Sequence, residues 1–235
     1  MLNKTRIALL LGVALSATPF LHADTTFSTL SSWNGVQGVG LFNGRTQVYG
    51  ETFVAPTDSV LQDFTFYIDQ SNNGSTPVQA AVYAWSGNVI AANAPQGATG
   101  PALFTSDFTI ANNNSFTAVT VTTGGLALTA GQHYVILLND LTHSGASSTW
   151  GLVQYQHPAG DGGGGFNYAD VERGGAVNDG DWNAFGDRLD LGDLAYTADF
   201  TAPAVASPIP EPSSLALLGT GLLGALGMVR RKLRA

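Results

Sequence analysis

A period of two in hydrophobicity, interrupted at short intervals by glycine and asparagine, constrains this chain more than any other feature. In Leu61–Ile68, the residues Phe64, Phe66 and Ile68 share one face, while Asp63, Thr65 and Tyr67 share the other. Val78–Trp85 sets Val78, Ala80, Val82 and Ala84 against Gln79, Ala81, Tyr83 and Trp85. Phe116–Val121, His133–Leu138 and Leu194–Phe200 follow the same rule. Side chains of an extended strand alternate between faces, so each run can bury one side of a pleat and wet the other. Threonine, valine and aromatic residues dominate these runs, as a half-buried pleat favours. Breakers separate them: Ser71-Asn72-Asn73-Gly74, residues 94–101, Asn112-Asn113-Asn114, Gly124-Gly125 and residues 162–165. Nothing between residues 24 and 200 carries the period of a long helix. The pattern predicts about nine or ten short strands in an all-β antiparallel two-sheet sandwich of jelly-roll type.

Composition narrows what such a sandwich can do. The chain has 235 residues, room for one ordinary domain. Cysteine is absent, which excludes disulfide frameworks, thiolate metal sites and cysteine nucleophiles. The net charge of −8 is unevenly spread. Lys4 and Arg6 lie at the start and Arg230, Arg231, Lys232 and Arg234 at the end. In residues 24–208, only Arg45, Arg173 and Arg188 face sixteen Asp and Glu. So acidic a middle repels phosphate backbones and argues against a nucleic-acid partner.

The basic ends read as membrane signals. Residues 1–23 combine a basic lead, the apolar run Ile7–Ala17 and a small residue at Ala23 after Pro19, the order of a secretory signal peptide. The signal peptidase and the general secretion machinery are the partners this implies. Residues 24–200 are then the exported domain. Residues 201–212 form a spacer with Pro203, Pro208, Pro210 and Pro212. Residues 213–229 read as a single transmembrane helix whose core, Leu215–Val229, contains no charge, and residues 230–235 as a basic cytoplasmic tail. Arg230, Arg231, Lys232 and Arg234 orient it, placing Pro210-Glu211-Pro212 at the outer face of the inner membrane.

The tripeptide Pro210-Glu211-Pro212, the helix opening Ser213-Ser214-Leu215, the glycine-rich apolar span and the terminal basic cluster together resemble the PEP-CTERM sorting signal. That resemblance implies an exported protein of a Gram-negative, exopolysaccharide-producing bacterium. It also implies an exosortase that processes the chain near the tripeptide after a transient stay in the inner membrane. A softer resemblance lies in the domain itself. Gly50–Pro56, Leu61–Tyr67, Leu128–Val135 and Asp193–Tyr196 are similar in order to choice-of-anchor surface domains, sandwiches that carry alternative C-terminal anchors. It transfers no catalytic residue.

Catalytic patterns are sparse. His133, His143 and His157 are too widely spaced for a paired metal motif, and His133 sits in a strand pattern as a structural residue. There is no G-x-S-x-G elbow. Gly160–Gly165 lacks the lysine and following helix of a phosphate loop and reads as a mobile loop. One cluster is suggestive: Asp179, Asp181, Asn183, Asp187 and Asp190 have the relative spacing of a calcium loop. Ala184 stands where such a loop has glycine, and Asp190 where it has glutamate. The alternative is a polar turn with Trp182 packed on the sandwich. The expected function is a non-enzymatic surface or extracellular-matrix protein, structural or adhesive and linked to exopolysaccharide, with no cofactor unless calcium binds. The alternative is a carbohydrate-binding module, using rings such as Trp33, Trp85, Trp150, Trp182, Tyr155 or Tyr168, or a polysaccharide-active enzyme with two carboxylates in a cleft.

Overall fold

The computed structural model describes residues 24–33, 39–42, 46–69, 75–87, 97–111, 115–141, 149–151, 153–154, 163–171, 174–184, 193–204 and 212–233. The expected leader therefore lies outside the described residues, as do Pro210, Glu211, Asp187, Asp190, Arg234, His143 and His157. The chain divides into two compact units, Met1–Pro203 and Ala204–Ala235.

The first unit is the expected antiparallel sandwich. One sheet holds β1 (Thr25–Ser28), β14 (Tyr196–Thr201), β4 (Val60–Asp69) and β7 (Thr117–Ala127), paired in that order. The other holds β3 (Thr46–Val54), β8 (His133–Asn139), β5 (Thr76–Ser86) and β6 (Gly97–Ile110). Successive strands leave one sheet for the other except at the β5–β6 hairpin, and the last strand returns beside the first. That is the double Greek key of a jelly roll. The segment between β8 and β14 adds small pieces. β9 (Thr149–Gly151) pairs with β4 and with β2 (Val39–Leu41), while β10 (Val153–Gln154) pairs with β13 (Asp193–Leu194). β11 (Phe166–Asp170) and β12 (Asp181–Ala184) extend the second sheet beyond β3. Fourteen strands are present among the described residues, more than the alternation foretold, because this insertion contributes short ones.

The core between the sheets collects the faces that the alternation marked. Phe64, Phe66 and Ile68 point inward from β4, and Val78, Ala80 and Val82 from β5. Aromatic rings bridge the sheets: Phe53 of β3 lies 5.6 Å from Phe200 of β14 and 6.2 Å from Phe27 of β1. Each such ring buried away from water contributes a few kcal/mol to the sandwich.

A second apolar cluster covers the opposite face of the second sheet. Val48, Ala81, Trp85, Val135, Leu137 and Ala169 point away from the main core and meet Leu141, Val177 and Trp182. His133–Leu138 is thus not the one-sided strand expected: β8 buries Tyr134, Ile136 and Leu138 on one face and Val135 and Leu137 on the other. A strand covered on both faces reads as a continuous apolar run, and Val135–Leu138 is one. Trp182 is the keystone of this layer. Its ring meets Trp85 edge-on at 5.0 Å, and its Nε1 donates to the Val177 carbonyl at 3.2 Å.

The glycine run expected to be a mobile loop is in part a clamp. Gly164 and Gly165 are buried against β3. The Thr52 backbone N–H and hydroxyl both donate to the Gly165 carbonyl at 3.0 Å, and Asn167 Nδ2 donates to the same oxygen at 2.9 Å. A side chain at Gly164 would bring a Cβ within 1.4 Å of the Thr52 carbonyl oxygen, so only glycine permits this approach.

The second unit contains the helix α1 (Pro212–Lys232). Pro212 is its first residue, where a fixed φ suits a helix and a missing N–H costs nothing. Arg230, Arg231 and Lys232 lie in its last turn, a favourable place for positive charge beside unsatisfied carbonyls. The helix therefore continues past Val229 through Lys232. Among the described residues, no helix is long and apolar enough to cross a membrane. Leu215–Val229 is shorter than the ~20 apolar residues of a typical span, and Gly219, Thr220, Gly221, Gly224 and Gly227 dilute it.

Candidate functional site

On helix α1, Leu218, Leu222, Leu223 and Val229 are exposed. Exposed apolar side chains at this density are uncommon on a soluble helix, whose leucines are normally buried on one face. Pro212 is the one member of the Pro210-Glu211-Pro212 tripeptide that the described residues include, and it marks where helix begins. The last residue of the tripeptide is thus also the first residue of the helix.

The sandwich brings together few of the chemical candidates. Asp179 lies in a 3-10 turn (Val177–Asp179), while Asp181 and Asn183 lie on β12. β12 pairs with β11, setting Asp181 opposite Asp170 and Asn183 opposite Tyr168. A calcium loop curls its ligands around one point, whereas here two of the five sit in a paired strand on either side of the buried Trp182. Asp187 and Asp190 lie outside the described residues, and among those described no group of three His, Asp or Glu could hold a metal ion.

The carboxylates that sequence could not rank are sorted by burial. Glu51, Asp58, Asp140 and Asp193 are buried. Glu51 accepts a hydrogen bond from the Leu194 N–H at 2.8 Å, tying β3 to β13 across the sandwich. Asp58 accepts from the Thr25 hydroxyl at 2.7 Å, anchoring β1. Glu51 and Asp58 thus fasten strands, and a buried carboxylate does not reach a polymeric substrate. The apolar cavity lined by Leu41, Tyr49, Phe66, Ile68, Leu138 and Leu194 has a volume of about 10 Å³. That is room for about one water, against roughly 300 Å³ for a ligand pocket. His133 Nδ1 lies 3.3 Å from the Gly87 carbonyl, a partner that suits a structural role.

Nor do the tryptophans whose side chains are described form an open platform. Trp85 and Trp182 are 6% and 7% exposed and stack on each other's edges. Trp33 is half-buried against Tyr67 at 5.6 Å and Phe116 at 6.2 Å, and Tyr168 packs against the main core. Trp150 lies on β9, where only the backbone is described, and Tyr155 lies outside the described residues.

One charged feature escaped the sequence. Asp63 of β4 and Asp199 of β14 are directly opposite in the antiparallel register. Burial first, and then the Asp199 charge, push the Asp63 carboxyl above its ordinary value. Separated by 136 positions in the chain, they become neighbours only through the β4–β14 pairing, which no local pattern announces.

Comparison with known proteins bears on the tail. A family model described as the PEP-CTERM protein-sorting motif matches residues 208–232. The match spans the end of the spacer, the tripeptide and helix α1 through its last basic turn. The motif implies an exported protein that an exosortase processes. No curated protein and no solved structure matches the chain.

Proposed function

We propose that this chain is the precursor of a non-catalytic surface or extracellular-matrix protein of a Gram-negative bacterium. Its sandwich serves as a structural or adhesive body in an exopolysaccharide layer, and its last residues are an address. The observation that carries the reading is the sorting motif at 208–232, coincident with a helix whose described leucines are exposed. Signal peptidase removes residues 1–23 on export through the general secretion machinery. Helix α1, too dilute in apolar residues to be a strong anchor, holds the chain at the inner membrane only until exosortase acts near Glu211. The sandwich is the choice-of-anchor type of body, indifferent to the anchor attached to it. Two features support the non-catalytic role: the buried Glu51 and Asp58 tie strands together, and the described cavity holds about one water. They weigh in the same way against the carbohydrate-binding or polysaccharide-active alternative.

Replacing Pro210, Glu211 and Pro212 by alanine, in a host that has exosortase, tests this reading. The expected outcome is a full-length, membrane-associated form that accumulates while surface delivery falls. Delivery of the variant with wild-type mass and yield would make the tail a plain appendage.

A further inference from the structure

We propose that Asp63 and Asp199 form an acid-tightened clasp on β14, the last strand before the sorting tail. The two carboxylates face each other across the β4–β14 ladder on the side of the sheet away from the core, as the burial pattern of both strands requires. Directly opposed like charges destabilise a strand pair. Both ladders around them are irregular. The β4–β14 register shifts between Asp199 and Phe200, and the β4–β7 register shifts between Leu61 and Asp63. Bulges weaken local pairing and re-aim side chains, so β14 is held least firmly where the charges meet.

Compensation is one-sided. The Thr26 hydroxyl of β1 donates to Asp199 Oδ1, whereas among the described residues no donor reaches the Asp63 carboxyl. From β7 the residue opposite Asp63 is Thr122, and from β1 the residue opposite Asp199 is Thr26, neither of them charged. Among the described residues of these strands and their ends, the remaining charged groups are also acidic. Asp24 precedes β1, Asp58 is bound to Thr25, and Asp69 lies six residues along β4, about 20 Å away in an extended strand. β1, β4, β7 and β14 contain no lysine, arginine or histidine. When the pair takes a proton from solvent, one carboxyl becomes a donor to the other, and a repulsion across the bulge becomes a hydrogen bond. The raised Asp63 value fits this. A group that binds its proton more tightly when folded adds stability that is complete below its unfolded value, about 3.9, and is lost as pH rises through the folded one. Acid therefore tightens β14, and neutral pH loosens the strand that leads into the processing segment.

Thermal unfolding of the full chain and of its Asp63→Asn, Asp199→Asn and double variants, from about pH 7.5 to about pH 3, tests the clasp. Asparagine matches the shape of a protonated aspartate. At the neutral end Asp63→Asn should raise the melting temperature by about 2–4 °C. The gain should vanish at the acid end, and the double variant should fall short of the sum of the single gains. A gain that is constant across pH, no gain at all, or strict additivity would overturn the proposal. Hydrogen exchange of the unsubstituted chain supplies an independent reading. Protection of the Thr197–Asp199 amides, taken relative to those of β8, should rise as pH falls; an unchanged ratio would also overturn it.

Discussion

Phe53 and Leu222 are both large apolar side chains, yet one is 0% exposed between two sheets and the other 54% exposed on helix α1. The contrast extends to the backbones around them. The sandwich satisfies its N–H and C=O groups through pairings distant in sequence, such as β1 with β14. The helix satisfies its own within four residues. A change in the sandwich is therefore felt by the whole fold, whereas a change in the tail is felt locally and by whatever reads the tail. The same chain carries a body specified by packing and an address specified by order of residues.

The sharpest way to break that comparison is to truncate one residue from each region. Phe53→Ala removes a ring that packs on Phe200 and Tyr134 and leaves a cavity between the sheets. It should destabilise the sandwich by about 3–5 kcal/mol, measured by denaturant unfolding. Leu222→Ala should leave the same unfolding curve within about 0.5 kcal/mol, the range of exposed substitutions, and alter delivery instead. Equal losses in both variants would mean that the two regions fold as one.

Glycine offers a subtler version. An added Cβ at Gly50 would lie 2.7 Å from the Ile136 carbonyl oxygen and 2.8 Å from Val135 Cγ2, because β3 and β8 approach closely there. Gly50→Ala should cost about 1–3 kcal/mol of sandwich stability. At Gly221 nothing lies within 4 Å of the same added atom. Gly221→Ala should raise helix content in a tail peptide, by about 1 kcal/mol of propensity, and leave the sandwich untouched. Circular dichroism of the peptide and unfolding of the full chain separate the two effects.

The two regions also differ in how far sequence exposes them. The tail is legible almost throughout, since proline, tripeptide, glycine-rich run and basic cluster act where they stand. Its helix runs past Val229 because nothing in Arg230–Lys232 stops it, and those residues suit its last turn. In the sandwich, alternation marked the inward face of β4 because polar residues stand opposite, and it marked Val78, Ala80 and Val82 of β5 although Ala81 and Trp85 opposite them are buried in the second layer. It failed on β8, where a second apolar layer erases the polar face. The role of Trp182 was half-visible as a ring in a polar turn, while its partner Trp85 was fixed only by the insertion folding back. Gly164 looked like flexibility because the Thr52 carbonyl that demands it is 112 residues away. The Asp63–Asp199 pair had no local signature at all.

Calcium should produce the smallest effect, and it tests whether local spacing outweighs pairing in the sandwich as it does in the tail. The ligand spacing from Asp179 to Asp190 belongs to a loop, but Asp181–Ala184 is a strand paired with β11. Trp182 is fixed between them by Trp85 and by its bond to Val177, so Asp181 and Asn183 cannot curl toward a common ion without pulling that ring from the second apolar layer. Losing its burial would cost about 3 kcal/mol or more, which a weak site of extracellular type, with Kd near ~1 mM, does not offset at millimolar ion. The melting temperature should therefore be the same in chelator and in millimolar calcium. A rise that grows with calcium concentration, and disappears in Asp181→Asn, would show that Asp187 and Asp190 complete a site strong enough to remodel β12.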